Sequence, residues 1–415
     1  MPATGYDQSS KEPRIDLIVR MAVVMELVLI VGTWRLWFAA TDFPRVPLVT
    51  VFLHVPILVV RTVSSALLVS LSAAAVSGWR QQCCPDRQLL ATTFLLGCTA
   101  VLCNQHCLQP WHWLFLFIMA FRVTLSPEFF PSVVRRLLPF IYIFAAVSRF
   151  GPEIDSGISR RIVTSLLDMI GLEAVATQAQ TVSWLCTLTT TTELATGILL
   201  LVPRAQRIGT VFAVVMHVTL MAVLGPTGLN QYAAVVIWNG FLTPLVVLLY
   251  WNHTERRLPH RFSVTVATAL CFIWPALALF GITDNWTGWQ LYSPRPEVLQ
   301  LQIHSDAVSE LPSSVIPCVG QPDPFEEWCS VRIDRWSLQS TGVPLYPQAR
   351  FQLAVAEAVT GNISNDDHVR ARLLTPGKLR WWNRTTTKFA NRLEITQNQN
   401  DHWLNCRPVK AGTIR

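Results

Sequence analysis

Three polar residues, Glu193, His217 and Asn239, lie in apolar segments that are joined by very short connections. With a turn centred near Ala205, Glu193 lies 12 residues before it and His217 lies 12 residues after it. Because helices rise about 1.5 Å per residue, both side chains would lie ~18 Å from the turn, near the middle of a bilayer. A second turn near Thr227 brings Asn239 to a similar depth. A carboxylate, an imidazole and a carboxamide are therefore predicted to share one layer.

Two interpretations of this polar layer are open. Placing ionisable groups in hydrocarbon costs several kcal/mol, so the side chains should face the protein interior and find partners. Glu193 and His217 could form a buried proton-handling pair beside a substrate. Alternatively, the layer could be a hydrogen-bonded clasp that only holds helices together.

Two further residues could do chemistry at the ends of the apolar segments. His106 and Arg149 both follow such segments, on the side where the C-terminal tail begins. His106 is the acid/base candidate, and Arg149 could hold an anionic headgroup, a quinone carbonyl or a carboxylate. The alternatives are a hydrogen-bonded interface histidine and an arginine that extends to the membrane surface.

The elements that must position these residues are nine apolar segments. We predict a mainly α fold, a polytopic transmembrane helical bundle of about nine spans, over residues 15–283. Residues 1–14 are predicted to be disordered. The tail, 284–415, is predicted to be a small extramembrane α+β module with strands at 298–304 and 329–333 and a helix at 350–360. The predicted spans are 17–40, 49–76, 89–103, 110–125, 137–147, 189–203, 208–224, 229–250 and 262–282.

Composition supports a membrane protein. The 415 residues are 51% hydrophobic and 14% charged, whereas soluble domains carry about 25% charged residues. The net charge of +7 lies mainly in connections between spans, so nucleic acid is not an expected partner. With the N-terminus in the cytoplasm, 13 basic residues fall inside and 6 outside. The predicted location is the plasma or inner membrane, with the tail outside.

Other charged residues and the cysteines lead to smaller predictions. Glu26 and Arg35 interrupt the first span and should face other helices, although Arg35 could extend outward. Cys318 and Cys329 could form a disulfide if the tail is extracytoplasmic. The adjacent cysteines Cys83 and Cys84 have no matching histidine or cysteine pair elsewhere, so no metal site is predicted.

Several stretches, in their order along the chain, resemble the HTTM family. They are 104–106 before an aromatic helix, 141–150, 193–209 and 286–298. This family is a membrane domain related to vitamin K-dependent gamma-carboxylase and to DoxX-like proteins, and the resemblance covers about 15–298. It implies a membrane bundle in which His106 matches a family histidine. Ser148 and Arg149 stand where the carboxylase has its basic lysine.

The resemblance and the residues together give three functional hypotheses. Arginine is always protonated and cannot replace the carboxylase base, so gamma-carboxylase-like activity is a minor alternative. The first hypothesis is a redox- or lipid-linked membrane enzyme with an outward-opening pocket for a quinone-like or lipid ligand. The second is a non-enzymatic scaffold that anchors the tail or a partner outside the membrane.

Overall fold

The computed structural model describes residues 12–39, 41–81, 85–231, 233–251, 261–322, 325–377 and 384–409. Most of the segment predicted to be disordered, 1–11, lies outside these residues. The first helix already begins at Glu12, so residues 12–14 of the segment predicted to be disordered are helical.

The first 280 residues are mainly helical. Wherever the sequence predicts a span, the structure has a helix, although the boundaries differ. The helices are α1 (Glu12–Gly32), α2 (Trp34–Trp37), α3 (Ile57–Gln81), α4 (Arg87–Cys103), α5 (Pro110–Thr124), α6 (Phe130–Val147), α7 (Gly157–Met169), α8 (Glu173–Ala176), α9 (Ala179–Leu201), α10 (Gln206–Leu224), α11 (Ala233–Tyr250) and α12 (Phe262–Leu279).

Six stretches of the described chain are long and apolar enough to cross a membrane: Ile57–Ser77, Phe130–Val147, Ala179–Leu201, Pro203–Leu224, Ala233–Tyr250 and Phe262–Leu279. The structure therefore contains six candidate spans where the sequence predicts nine. The helices at the other three predicted spans are too short or too charged to meet the same requirement. Helix α1 carries Asp16, Arg20 and Glu26, α4 has 17 residues and α5 has 15.

Close helix contacts fix the register of the bundle. A Cβ on Gly197 would lie 2.8 Å from the carbonyl oxygen of Pro139, so glycine lets α9 approach α6. Likewise, a Cβ on Gly209 would lie 3.0 Å from the Cβ of Leu199, at the closed end of the α9–α10 hairpin. Small residues allow such contacts between membrane helices.

Helix α9 begins ten residues earlier than the predicted sixth span. The predicted span began at the threonine-rich stretch, and the helix also includes residues 179–188 before it. In the structure, the hydroxyls of Thr189 to Thr192 donate to main-chain carbonyl oxygens three or four residues earlier. Because these groups are satisfied within the helix, a polar stretch can remain helical.

The connection between α6 and α9 contains α7, which packs on the bundle. Val163 and Leu167 are buried with Val182 and Cys186 of α9, while Arg161 is exposed. The apolar face of α7 therefore covers α9.

The tail is an antiparallel sheet covered by helices, as its predicted α+β class requires. The sheet order is β2-β3-β1-β4-β5. The predicted strand at 298–304 is confirmed with its alternation, since Leu299, Leu301 and Ile303 are buried. The elements are β1 (Val298–His304), β2 (Val319–Pro322), β3 (Trp328–Val331), α13 (Ile333–Thr341), α14 (Ala349–Thr360), β4 (Val369–Pro376), β5 (Arg384–Phe389) and α15 (Arg392–Asn398).

The tail docks on the connections at one end of the bundle. Asn405 N donates to the carbonyl oxygen of Leu48 at 3.1 Å, and Gln105 Nε2 donates to that of Asn405 at 3.1 Å. Arg295 Nη2 donates to the carbonyl oxygen of Phe150 at 2.5 Å. Buried apolar residues of bundle and tail form one continuous core. We refer to this contact region between bundle and tail as the seam.

An ion pair is buried in the seam. Arg350 donates from Nη1 and Nη2 to the two carboxylate oxygens of Asp284, at 2.8 and 2.5 Å, and from Nε to Gln105 Oε1 at 2.8 Å. The hydroxyl of Tyr346 also donates to Asp284. Burial alone would lower the pKa of Arg350, but the bonds to Asp284 outweigh it and raise the pKa above its ordinary value. The sequence had not indicated this pair.

The predicted disulfide between Cys318 and Cys329 is not formed. Both residues are buried free thiols, and Cys318 Sγ donates to Gln339 Oε1 at 3.2 Å. Packing of small apolar side chains therefore accounts for both cysteines.

Candidate functional site

A cavity of about 510 Å³ lies in the tail-facing half of the bundle. Helices α6, α7, α9, α10 and α11 form its walls, and the start of α5, residues 286–292 and Pro344 of the tail close it above. Its lining is predominantly apolar, with a few polar groups at defined places. Ligand pockets commonly combine these features.

One wall of the cavity carries an ion pair between Arg149 and Glu193. Arg149 follows the last turn of α6, and its Nη2 contacts the carboxylate of Glu193 on α9. Its Nε also donates to the carbonyl oxygen of Ala145 at 3.1 Å. Each charged side chain is 13% exposed. The sequence had placed these two residues in separate roles, and the structure joins them.

A second polar cluster joins three helices around His217. His217 Nδ1 lies 2.7 Å from Asn239 Oδ1, and Nε2 lies 2.8 Å from the hydroxyl of Tyr142. Asn239 Nδ2 donates to the carbonyl oxygen of Val235 at 2.8 Å, which assigns the orientation of the amide. Since Oδ1 can only accept, Nδ1 carries the proton and Nε2 accepts from Tyr142. Both nitrogens of a neutral His217 are thus engaged.

The three residues of the predicted polar layer lie around one cavity, and their pairing differs from the prediction. Glu193, His217 and Asn239 all line the same cavity, as a shared depth requires. However, Glu193 pairs with Arg149, and His217 pairs with Asn239 and Tyr142. The predicted direct pair between Glu193 and His217 is not formed, because the Glu193 carboxylate contacts Arg149 at the end of α6 instead.

The cavity roof contains an unusual backbone and unpaired polar atoms. Trp289 and Tyr292 both have φ of 58°, a left-handed conformation that is uncommon for residues other than glycine. Tyr292 lines the cavity together with Gln109 and Trp111. Gln109 Oε1 and Trp111 Nε1 are buried without a hydrogen-bond partner among the described residues. Such features concentrate at functional sites.

His106 lies behind the cavity wall, in the seam. Its ring is packed beside Phe43 and Phe351, with centroid distances of 5.3 and 4.9 Å. Its Nε2 lies 3.0 Å from the carbonyl oxygen of Pro344, a residue that lines the cavity roof. Burial lowers the pKa of His106 from its ordinary value to about 4, so the ring is neutral near pH 7.

The structure therefore does not bring His106 and Arg149 into one catalytic site, which the sequence had suggested. His106 is not among the residues that line the cavity, and its ring is 1% exposed. It supports the roof through Pro344 and through Gln109, whose Nε2 donates to the His106 carbonyl oxygen at 2.9 Å. We describe it as a positioning residue.

The buried residue Glu26 has a partner that sequence reasoning missed. Its Oε1 lies 2.6 Å from Nδ1 of His112, and both side chains are completely buried. The available signal was that a buried carboxylate needs a partner and that His112 is a polar residue within the aromatic helix α5. Arg35 instead lies exposed beyond the end of α1, with its guanidinium 6.0 Å from the Trp34 ring.

Among the described residues, no group of three His, Cys, Asp or Glu side chains could hold a metal ion. Cys83 lies outside the described residues.

Comparison with known proteins does not assign a family. No protein-family model, no curated protein and no solved structure matches this chain. The resemblance to the HTTM family stays a prediction, and the function is inferred from the cavity.

Proposed function

We propose that this chain is a multi-pass membrane protein that binds a quinone-like or lipid molecule in the cavity beneath the tail. The observation that supports this proposal is an apolar cavity of about 510 Å³ with the Arg149–Glu193 pair on its wall. Apolar walls would hold a hydrocarbon chain, and the ion pair would contact a polar headgroup. The proposed type is HTTM/DoxX-like.

The proposed topology has nine spans with the N-terminus in the cytoplasm. In it, α1, α4 and α5 also cross the membrane, although each is too short or too charged to qualify by itself. The distribution of basic residues supports an extracytoplasmic tail. The cavity, which lies beneath the tail, would then open on the outer half of the bilayer.

Chemistry at this cavity would depend on Glu193 and Arg149. A carboxylate held beside an arginine can exchange a proton with a bound hydroxyl, while the guanidinium polarises an oxygen. This supports the redox- or lipid-linked enzyme hypothesis. Since His106 does not line the cavity, gamma-carboxylase-like activity receives no support from this geometry.

A purified-protein experiment tests the proposal. Val215 lines the cavity and is exposed on α10, so Val215→Trp would fill the cavity without disturbing the core. Val218 on the same helix is similarly exposed but does not line the cavity, and Val218→Trp is the matched control. We expect native mass spectrometry from nanodiscs to detect a bound amphiphile in the wild type and the control, with strong loss in Val215→Trp. Equal occupancy in all three proteins would refute binding in this cavity.

The second candidate is a scaffold that anchors the tail. The seam favours it, because the buried Asp284–Arg350 pair and the continuous core fix the tail rigidly on the bundle. A scaffold predicts that Val215→Trp keeps full cellular function, whereas disruption of the seam removes it. Pro344 of the tail lines the cavity roof, so docking of the tail also serves the first candidate.

A further inference from the structure

Exposed residues of the cavity lining indicate a lateral opening between α9 and α10, beside α7. The two helices are in contact near their connection, at Gly209 and Leu199. Farther from the connection, both helices contribute cavity-lining residues that are also exposed, among them Leu188 of α9 and Val215 of α10. Because both residues belong to membrane-spanning stretches, this opening faces hydrocarbon. A ligand can therefore reach the cavity directly from the bilayer.

The ion pair makes the cavity charge-balanced. Arg149 and Glu193 are the oppositely charged side chains among the described residues of the lining, and their formal charges cancel. An anionic headgroup would be attracted by Arg149 but repelled by Glu193, and it would also lose its hydration. An uncharged hydroxyl can accept a hydrogen bond from Arg149 and donate one to Glu193. The pair therefore favours an uncharged headgroup.

We propose that the cavity takes an uncharged, hydroxyl- or carbonyl-bearing lipid headgroup that enters from the bilayer through the gap between α9 and α10. This inference rests on the proposed function and specifies its ligand class and entry route. A cavity of about 510 Å³ holds the headgroup and the first part of one chain. The rest of the lipid extends through the gap and remains in the bilayer.

The experiment uses two photoreactive lipids in phosphatidylcholine vesicles that contain the full chain. A photoreactive diacylglycerol and a photoreactive phosphatidic acid with the same chains differ only in the phosphate group, which gives the second headgroup its negative charge. We expect the wild type to be labelled preferentially by the diacylglycerol, in peptides of α9 and α10. Glu193→Gln should shift the labelling ratio towards phosphatidic acid by on the order of tenfold, because the repelling charge is removed.

Control variants make each outcome decisive. The double variant Arg149→Gln with Glu193→Gln has no net charge at the site, so it should retain the wild-type ratio of diacylglycerol to phosphatidic acid labelling. Its folded yield also shows whether loss of the ion pair prevents folding. Val215→Trp should lower labelling by both probes, and Val218→Trp should not. An unchanged ratio in Glu193→Gln, with labelling still blocked by Val215→Trp, would overturn the headgroup inference and leave the proposed function intact. Labelling that Val215→Trp does not reduce would overturn both.

Discussion

Two glutamates in this bundle, Glu26 and Glu193, have basic partners and very different surroundings. Glu26 and His112 lie in a completely enclosed place, where the His112 ring packs against Trp37 at a centroid distance of 4.9 Å. Glu193 and Arg149 lie on the wall of a cavity that opens between helices. A glutamate paired with a basic side chain therefore occurs in a closed core in one region and beside a cavity in the other.

This difference shows that a charged residue in an apolar helix does not by itself mark a functional site. Every such residue needs a partner because an unpaired charge in hydrocarbon is unstable. Space for a ligand is the additional requirement, and only the Arg149–Glu193 pair of these two has a cavity beside it. Substitutions should therefore affect stability at the enclosed pair and binding at the cavity pair.

The largest expected effect is at the enclosed pair. His112→Ala leaves Glu26 buried without its partner and should lower the free energy of unfolding by about 4 kcal/mol. Thermal unfolding of the detergent-purified protein, together with folded yield, measures this loss. The double variant Glu26→Leu with His112→Phe should recover most of the stability, because two apolar residues need no partner. A single variant that melts like the wild type would contradict an essential role of this pair in the core.

A slightly smaller effect is expected at the seam. Asp284→Ala removes the carboxylate that binds Arg350 and should destabilise docking of the tail by about 3 kcal/mol. Hydrogen exchange of α14 and limited proteolysis of the tail measure this loss. The matched control is Asp334→Ala, because the Arg332–Asp334 pair is exposed and should contribute less than about 1 kcal/mol. Equal protection in both variants would show that the seam does not depend on its ion pair.

His106 allows a pH test of the seam. Its pKa in the folded protein is about 4, below its ordinary value of 6.5, so the unfolded chain binds this proton at a higher pH. The free energy of unfolding therefore has its full value, as far as His106 is concerned, above pH 6.5. It declines as the pH falls towards 4, by about 1.4 kcal/mol per pH unit at most. Proteolysis of the tail at several pH values should show this decline. His106→Gln can still donate to Pro344 and should reduce it, so an identical pH profile in that variant would exclude His106 as the cause.

The smallest effect on stability is expected at the cavity pair. Arg149→Gln combined with Glu193→Gln removes both charges from a wall that already borders a cavity, so the unfolding free energy should change by less than about 1 kcal/mol. Thermal unfolding of this variant beside His112→Ala compares the two pairs directly. A loss as large as that of His112→Ala would make Arg149–Glu193 a structural pair and remove the contrast.

Much of the architecture follows from local properties of the sequence. Apolar segments locate the helices, and the alternation at Val298–His304 locates β1. The spacing of Glu193 and His217 about a tight turn predicts that they lie at one depth, because helical rise is constant. The nine-span prediction is less well determined, since α4 and α5 are shorter than a typical spanning helix.

The sequence by itself determined that the chain has several helices long and apolar enough to cross a membrane and that an α+β tail follows. Only the tertiary structure decided that Glu193 binds Arg149, that His106 lies in the seam and that a cavity opens beside the ion pair. The physical reason is that hydropathy and helical rise act along one segment. Partners and cavities depend on how each helix is rotated against others that are distant in the sequence.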